Sequence, residues 1–462
     1  MSRLSRFGSA GAALVTAAPL ALMAALPGAA VGAVAVTGGA TPLSHTLSHH
    51  AFLTPPTTAQ CLASAGIACY NPAQFQKAYD LGPLYAGGWN GTGKTVAVID
   101  SFGSPTAAAD LATFDTAFGL PAPPSFTIIQ PAGVVPPFNP NDPTMANWAA
   151  ETGLDVQYAH AMAPGAKILL VETPVAETEG VTGFPEIVKA ENFVIAHHLA
   201  DVISQSFGAT EQTFPSTQSL LNLRSAYKAA AQADVTVLAS SGDAGATNAT
   251  LSGTSFYTHR AVGWPASDPL VTSVGGLQYF LDATGNQTQP PTVWNDTSLL
   301  GSLASGGGGR SVIFARPSYQ NSVAARTGSQ RGLPDISLSA AVNGGALVYY
   351  SANTLGTGVP AGFYIIGGTS EASPQFAGVV AIADQVAGHD LGLINPALYA
   401  MSASHAAGIV DITSGTNTVT FAQGGTNHTV IGFDARVGYD LSSGLGGIDA
   451  AAFVPELVAA AH

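Results

Sequence analysis

The sequence predicts an α/β fold with a mostly parallel central sheet flanked by helices. In the first half of the chain, short β-branched runs alternate with segments of helical length and pattern. Such alternation is typical of parallel strands joined by crossover helices. The chain shows no internal repeat and no linker-like stretch, so one main domain is expected.

The predicted elements follow one another in a regular order. The strand candidates are TVAVID (95–100), KILLVE (167–172), DVISQSF (201–207), VTVLASS (235–241) and LVTSVGG (270–276). The helix candidates between them are 148–162, 186–200 and 218–233. Residues 276–366 are rich in Gly and poor in helical patterns. Residues 363–387 predict a strand, a tight turn and a helix with Pro374 in its first turn. Residues 408–449 are expected to be loop-like.

The N-terminus has the pattern of a secretory signal peptide. Two arginines precede an Ala-rich apolar run, and small residues follow at 27–33. A transmembrane anchor is the alternative, but Pro19 and Pro27 interrupt a run that is already short for a span. We therefore expect a secreted protein with a signal peptide at 1–33, a polar tail at 34–55 and a globular domain at 56–458.

The composition excludes several classes of partner. Charged residues are only 9% of the chain, and 14 basic against 28 acidic side chains give a net charge of −14. Phosphate backbones and anionic membrane surfaces are bound by basic patches, so neither is an expected partner. The 47% hydrophobic content argues against a disordered chain. We expect an acidic, globular monomer.

The two cysteines, Cys61 and Cys69, lie close together in CLASAGIAC. In an exported chain they can close a small loop as a disulfide. Two reduced, buried thiols are the alternative. Export favours the disulfide.

Ser370 is the candidate nucleophile. It lies in GGTSEASP (367–374), where small residues allow a sharp turn and a helix N-terminus favours developing negative charge. A helix-capping serine is the simpler alternative, but the full strand, turn and helix context favours a nucleophile. A hydroxyl needs a base to activate it.

Glu151 and Asp155 are better candidates for that base than any histidine. They lie four residues apart in WAAETGLDVQYAHAM, so both carboxylates project from one helix face. Because like charges at this spacing repel, a structural role would require both to be solvated, yet the segment is largely apolar. Two close carboxylates that share a proton suit catalysis in acid. Of the eleven histidines, His160 and the pair His197 and His198 have structural settings.

Asp243 is the third candidate carboxylate. It lies in SSGDAGA (240–246) at the carboxyl end of a predicted strand, the edge at which open α/β sheets bind ligands. An Asx turn in a Gly-rich loop is an equal alternative from spacing alone.

Taken together, these motifs resemble the sedolisin family of serine-carboxyl peptidases. The resemblance covers roughly residues 70–455. Besides the three segments above, its motifs are SQSFG (204–208) followed by Glu211, WPAS (264–267), VGG (274–276), FARPSYQ (314–320) and PDIS (334–337). The resemblance implies a subtilisin-like fold and hydrolysis of peptide or protein substrates.

The resemblance also implies roles for individual residues. Ser370 would be the nucleophile, Glu151 the general base, and Asp155 the carboxylate that orients Glu151 and shares a proton with it. Asp243 would donate a hydrogen bond to the oxyanion, which requires it to be protonated. Asp100, where a subtilisin has its catalytic Asp, would support Glu151 or simply end a strand. A Glu base remains useful below about pH 5, where a histidine is protonated.

A structural calcium ion is the expected cofactor. The resemblance places it in a C-terminal loop region with the carboxylates of Asp411 and Asp440 and backbone carbonyls as ligands. The carbonyls are those of Ile412, Arg436 and Gly438. Arg436 replaces a usual Gly, which a backbone ligand tolerates. Two turn-capping aspartates are the alternative.

Two features depart from the family. Residues 34–69 are too few for the large N-terminal prodomain that is common in it, and Phe207 replaces a frequent Trp. A subtilisin-type neutral protease using Asp100, a histidine and Ser370 therefore remains an alternative, as does an inactive secreted binding protein.

Overall fold

A central, mostly parallel sheet of eight strands organises the residues that the computed structural model describes, namely 45–46, 51–352 and 360–461. In sheet order, seven of the strands are Gln287–Val293, Thr272–Leu281, Thr236–Ser240, Val202–Gln205, Thr95–Ser101, Lys167–Thr173 and Phe126–Ile129. The eighth, Ile336–Ser339, also pairs in parallel with Thr272–Leu281. Gln287–Val293 is the antiparallel member. The prediction of a mostly parallel sheet is confirmed.

Both faces of the inner strands of this sheet are buried, which explains their apolar runs, whereas the strands Gln287–Val293 and Phe126–Ile129 are partly exposed. Along Thr95–Ser101, Val96 and Val98 belong to one hydrophobic core, whereas Ala97 and Ile99 belong to another. The first core is covered by helices Ala107–Phe118, Pro143–Met162, Thr369–Ala387, Asn395–Ala403 and Ala450–Ala460. The second is covered by helices Phe184–Ala196, Thr217–Leu221 and Ser225–Gln232.

Smaller elements surround this frame. A second sheet contains, in order, His45–Thr46, Gly362–Gly367, Gly345–Tyr350 and Cys69–Tyr70. Two-stranded pairs are Gly309–Ala315 with Gln330–Leu333, Ile409–Val410 with Gly447–Ile448, Val419–Gln423 with Thr426–Val430, and Ala209–Thr210 with Gly263–Trp264. Short helices are Thr58–Ala65, Pro72–Ala78, Gly82–Ala86, Thr297–Leu300 and Ala324–Thr327, with 3₁₀ turns at Glu211–Thr213 and Ser318–Val323.

One predicted helix is longer than expected and another is broken. The predicted helix 148–162 begins at Pro143, because the Asp142 side chain accepts hydrogen bonds from the N–H groups of the first turn. The predicted single helix 218–233 is wrong: it is two helices, 217–221 and 225–232. At the break, Arg224 forms a bidentate ion pair with Asp268, with bonds of 2.5 and 2.7 Å.

The expected loop at 408–449 also contains an element that the prediction missed. Residues Val419–Gln423 and Thr426–Val430 form a β-hairpin around Gly424 and Gly425, both with positive φ. The two glycines stand between runs of alternating residues, which is a recognised hairpin signal.

The N-terminal predictions are only partly within the described residues. The proposed signal peptide at 1–33 lies outside the described part of the chain. Within the predicted tail, Thr46 pairs with Ile366, and Phe52 forms a β-bridge to Phe363. Cys61 and Cys69 form a disulfide. Among the described helices, none combines the length and apolarity that a membrane span requires.

Several buried carboxyl groups are expected to make the folded protein more stable at acidic pH than at neutral pH. Burial raises the pKa of Glu191 to about 8 and that of Glu179 to about 7. A carboxyl with a raised pKa binds its proton more tightly in the folded state. Its contribution to stability is therefore complete below its unfolded pKa of about 4.3 and is lost as the pH rises through the folded pKa.

We expect the thermal midpoint to fall as the pH rises from 4 to 8. The midpoint of the Glu191→Gln variant should fall less over the same range, because glutamine does not titrate. One pKa unit is worth about 1.4 kcal/mol, so a single such group accounts for a few kcal/mol. Calorimetry at several pH values measures the slope. Glu186→Gln, partly exposed on the same helix, is the matched control and should keep the original slope. Identical slopes for both variants would contradict this expectation.

Candidate active site

The candidate nucleophile, Ser370, lies where an inner strand turns sharply into a long helix. Strand Gly362–Gly367 ends one residue before Gly368, whose φ of 132° favours glycine, and the helix begins at Thr369. A Cβ on Gly367 would lie 2.7 Å from the Val342 nitrogen, so this position also requires glycine. The Ser370 hydroxyl donates to the Ser206 carbonyl over 3.4 Å, a long bond that holds it weakly.

The prediction that Pro374 lies in the first turn of this helix is wrong. The helix begins at Thr369, so Pro374 is in its second turn. Proline lacks the N–H that would otherwise bond to the carbonyl four residues earlier, which is that of Ser370. That carbonyl lies instead 3.5 Å from the hydroxyl of Ser206. The proline therefore leaves the Ser370 carbonyl free of that helical hydrogen bond and directed toward the Ser206 hydroxyl.

Of the two helix carboxylates, Asp155 is linked to Ser370 through Ser206. Glu151 and Asp155 are both fully buried on helix Pro143–Met162. The Ser206 hydroxyl donates to Asp155 Oδ1 at 2.9 Å, so Ser206 connects Asp155 with Ser370. Burial, then the negative charges of Glu151 and Asp100, raise the pKa of Asp155 well above its ordinary value. The arrangement favours a shared proton among these groups.

Asp100, on a central strand of the sheet, is the third carboxyl group that interacts with Glu151 and Asp155. It stands near the end of Thr95–Ser101 and is fully buried. Burial and then the charge of Glu151 raise its pKa well above the ordinary value, with a smaller contribution from Glu172. Asp100, Glu151 and Asp155 thus form one electrostatically coupled cluster.

Asp243 follows strand Thr236–Ser240 and contacts the residue before Ser370. Its Oδ1 accepts hydrogen bonds from both the N–H (2.8 Å) and the hydroxyl (2.7 Å) of Thr369, the residue before Ser370. Burial raises the pKa of Asp243 to about 7 despite these two bonds. With Oδ1 accepting twice, Oδ2 is the oxygen expected to carry the proton and to donate.

A small open cavity next to Gly242, the residue before Asp243, has a volume of about 10 Å³, room for about one water molecule. It is lined by uncharged residues, which are Gly208, Ser240, Ser241, Gly242, Asn248, Gly263, Trp264 and Ala266. The hydroxyls of Ser240 and Ser241 donate to the carbonyls of Thr369 and Gly307, respectively. Ser240 therefore ties one wall of this small cavity to the turn that carries Ser370.

The histidines singled out in the sequence lie elsewhere. His160 Nε2 is 2.8 Å from the Pro121 carbonyl and 3.3 Å from Asp115. His197 contacts the carbonyl of Phe193 in its own helix. Among the described residues, the hydrogen bond of the Ser370 hydroxyl goes to Ser206 rather than to a histidine.

The expected calcium ligands meet at one turn near the C-terminus. Asp411 Oδ2 accepts from the N–H of Gly438 at 3.0 Å, and Asp440 Oδ2 accepts from the N–H of Arg436 at 2.9 Å. The Arg436 side chain is 58% exposed and lies 3.9 Å from the exposed carboxylate of Asp434. Ile412 is buried next to Asp411. The described residues contain no cluster of three or more acidic, His or Cys side chains suited to a metal, so a cation here would depend on backbone carbonyls.

Sequence reasoning missed two contributors to the site. Ser206 links Asp155 to Ser370, and Thr369 holds Asp243. The SQSFG and GGTS motifs contain both residues, but only the folded chain shows their contacts. Glu211, also noted after SQSFG, instead accepts bonds from Ser311 (2.5 Å) and the N–H of Val312 (2.7 Å), and so anchors strand Gly309–Ala315.

This chain belongs to the subtilase family, whose model matches residues 141–435. Among its relatives, it is 31% identical over 390 residues to kumamolisin from Bacillus sp. (strain MN-32), covering 83% of this chain and 62% of the relative. It is 30% identical over 397 residues to sedolisin from Pseudomonas sp. (strain 101), covering 86% of this chain and 62% of the relative.

The fold is similar to a solved structure of Pseudomonas sedolisin, described as a serine-carboxyl proteinase complexed with two molecules of pseudo-iodotyrostatin. The TM-score is 0.69 at 28% identity, over 86% of this chain and 100% of that one. The resemblance to sedolisins and the subtilisin-like fold are therefore confirmed. This chain spans about three-fifths of the length of the two relatives named above.

Proposed function

We propose that this protein is a secreted serine-carboxyl peptidase that hydrolyses peptide bonds in acid through Ser370, Glu151, Asp155 and Asp243. The observation that carries the proposal is the placement of Ser370 between two carboxyl systems. Asp155 is linked to it through Ser206, and Asp243 is held by the adjacent Thr369. Secretion is supported by the predicted signal peptide and by the Cys61–Cys69 disulfide.

In the proposed reaction, Glu151 takes the proton of the Ser370 hydroxyl as its oxygen attacks the substrate carbonyl. Protonated Asp243 donates a hydrogen bond to the oxygen that becomes negatively charged. Glu151 then gives the proton to the leaving amine as the C–N bond breaks, which leaves an acyl-enzyme. Water attacks the ester with Glu151 again acting as base, and Ser370 regains its proton.

A neutral subtilisin-type mechanism is less well supported. It needs a histidine between Asp100 and Ser370, whereas the fully buried His160 contacts Pro121 and Asp115. The carboxyl group of Asp243 also suits catalysis in acid: with a pKa of about 7, it stays protonated in mild acid and can donate a hydrogen bond there. An inactive binding protein is the third hypothesis. Peptide cleavage that is lost when Ser370 is replaced would exclude it.

Variants of Asp243 test the oxyanion role. We expect Asp243→Ala to lower kcat by about 10²- to 10³-fold, since one donor is removed. Asp243→Asn should lose less, because its amide donates at every pH, and its activity relative to the unmodified protein should rise as the pH approaches 7. Measuring kcat from pH 3 to 8 separates the two. An Asn variant as inactive as the Ala variant at every pH would contradict the assignment.

We further propose that one structural calcium ion binds the carboxylates of Asp411 and Asp440 and the carbonyls of Ile412, Arg436 and Gly438. Both carboxylates accept hydrogen bonds from backbone N–H groups of the same turn, those of Arg436 and Gly438. The proposed ligands are all oxygen atoms, which calcium prefers. Bound calcium would hold this C-terminal turn in place and take no part in the reaction.

Calcium is accordingly expected to raise the thermal midpoint, because a ligand that binds only the folded state stabilises it by about 2.7 kcal/mol at 100 times its Kd. Asp411→Asn should remove most of this effect. Asp434→Asn changes an exposed carboxylate near the same turn and is the matched control. Thermal unfolding with calcium and with a chelator tests this. Equal midpoints in both conditions would exclude the site.

A further inference from the structure

A buried carboxyl outside the proposed mechanism follows the nucleophile directly in the sequence. Glu371 occupies the first turn of helix Thr369–Ala387, next to Ser370, and is fully buried. It belongs neither to the Asp100, Glu151 and Asp155 cluster nor to the Asp243 contacts. A buried acid one residue from a reacting hydroxyl requires a physical explanation, since burial of an unpaired charge is costly.

Hydrogen bonds connect Glu371 to a different layer of the fold. Its Oε1 accepts from the amide of Gln375, one helical turn away, at 3.1 Å. The carbonyl oxygen of that amide accepts from the hydroxyl of Tyr79, which is itself fully buried. The Tyr79 hydroxyl in turn accepts from the N–H of Ser339 at 3.0 Å. The first turn of the helix is thereby tied to Tyr79 and to the end of strand Ile336–Ser339.

The same strand end also holds the turn that precedes the nucleophile. The N–H of Gly368 donates to the carbonyl of Ala340 at 2.7 Å, and Ala340 is the neighbour of Ser339. Ser370 is therefore braced on both sides: Gly368 before it is fixed to Ala340, and Glu371 after it is fixed through Gln375 and Tyr79 to Ser339. A change in either brace would move the Ser370 hydroxyl relative to Ser206.

The groups around Glu371 favour its neutral form. The titratable side chains that face it from packed elements are the phenols of Tyr70, Tyr79 and Tyr158. Burial raises the pKa of all three phenols, so they remain neutral. A phenol also carries no positive charge that could stabilise an ionised Glu371. Burial likewise raises the pKa of Glu371 well above its ordinary value, and its hydrogen bonds offset only part of that effect.

We propose that Glu371 is a positioning residue that holds the nucleophile's turn in place as a neutral, hydrogen-bonded acid. This inference rests on the proposed function, because it assigns Glu371 a role in the reaction of Ser370. Neutrality also matters for the chemistry. A helix N-terminus stabilises negative charge, and an ionised Glu371 would compete for that stabilisation with the oxyanion that forms beside Ser370.

Two substitutions test the proposal. Glu371→Ala removes the brace and is expected to lower kcat at pH 4 by roughly 10- to 100-fold with little change in KM, because a displaced reacting group slows the chemistry more than it weakens binding. Glu371→Gln keeps the shape and cannot ionise, so it should retain kcat at pH 4 to within about twofold. It should also lose less thermal stability than the unmodified protein between pH 4 and 8.

Asp384→Asn provides the matched control. Asp384 is a fully buried carboxyl on the same helix, and burial raises its pKa well above the ordinary value, but it lies near the opposite end of the helix from Ser370. Its replacement should change the pH dependence of stability and leave kcat unaltered. If kcat fell as much in Asp384→Asn as in Glu371→Ala, the lower kcat would be explained by a general loss of stability, and the proposal would be overturned.

Two further outcomes would also overturn it. One is unchanged kcat in Glu371→Ala. The other is a loss in Glu371→Gln as large as in Glu371→Ala, which would show that the ionised form is needed. Failure of the proposed function looks different, because then the unmodified protein cleaves no peptide at any pH. In that case the comparison of stability between pH 4 and 8 still reports whether Glu371 is neutral in the fold.

Discussion

Replacing Ser370 by alanine is expected to lower kcat/KM for peptide cleavage by at least about 10⁴-fold while the protein remains folded. The nucleophile of a serine peptidase cannot be replaced by the rest of the site, which supplies only the residual rate from binding and oxyanion stabilisation. The fold should tolerate the change, because the Ser370 hydroxyl makes only a long bond to the Ser206 carbonyl. A quenched peptide or casein at pH 4 provides the assay.

Ser373→Ala is the control for this experiment. Ser373 is buried on the same helix one turn further along, where its hydroxyl lies 3.0 Å from that of Ser204. It should retain most of the activity. Cleavage by Ser370→Ala at the unmodified rate would remove Ser370 from the mechanism, whereas equal losses in both variants would point to damage to the helix.

Replacing Glu151 by glutamine should have the second largest effect, a fall in kcat of about 10³- to 10⁴-fold. The amide keeps the size of the side chain but cannot accept the proton of Ser370, and general base catalysis accounts for about this much. KM should change little, because the lost interaction is with a transferring proton rather than with bound substrate. Steady-state kinetics at pH 4 measures both constants.

Glu191→Gln is the control for Glu151→Gln, since Glu191 is an equally buried carboxyl in the core on the other face of the sheet. It should alter the pH dependence of stability and leave kcat intact. If Glu151→Gln retained more than about a tenth of the unmodified kcat, another group would have to be the base.

The catalytic candidates were predictable from sequence because each depends on a local pattern. Glu151 and Asp155 lie on one helix at a spacing that brings their side chains together. Asp243 follows a strand of the central parallel sheet at the edge where such sheets bind ligands, and Ser370 lies at a glycine-marked junction of a strand and a helix. The mostly parallel sheet follows from the alternation of strands and helices in the same way. These features need no knowledge of distant contacts.

Other features depend on tertiary contacts and could not be derived from local pattern. Ser206 is one of many serines, and its bond to Asp155 exists only because strand Val202–Gln205 ends beside helix Pro143–Met162. The break between 221 and 225 accompanies the pairing of Arg224 with Asp268, 44 residues away. The hairpin at 419–430 is different, because its two adjacent glycines are a local turn signal in the sequence.

The low charge of the chain has a further meaning in the structure. Lightly charged surfaces alone are common in secreted proteins. Here several of the 28 acidic residues are buried without a cation, as Asp100, Asp155, Glu191 and Glu371 illustrate, and burial raises their pKa values. The fold and the proposed mechanism therefore favour the same pH range, since the fold contains buried carboxyl groups that retain protons and the mechanism needs Asp243 protonated.

The pH dependence of kcat/KM for the unmodified protein tests the carboxylate mechanism most directly. Peptide cleavage should be measured from pH 2 to 9, with incubation controls that separate reversible titration from unfolding. We expect maximal activity below about pH 5 and a decline toward neutrality as Asp243, with its pKa of about 7, loses its proton. Activity that rises steadily from pH 4 to 8 would contradict this mechanism and favour a histidine base.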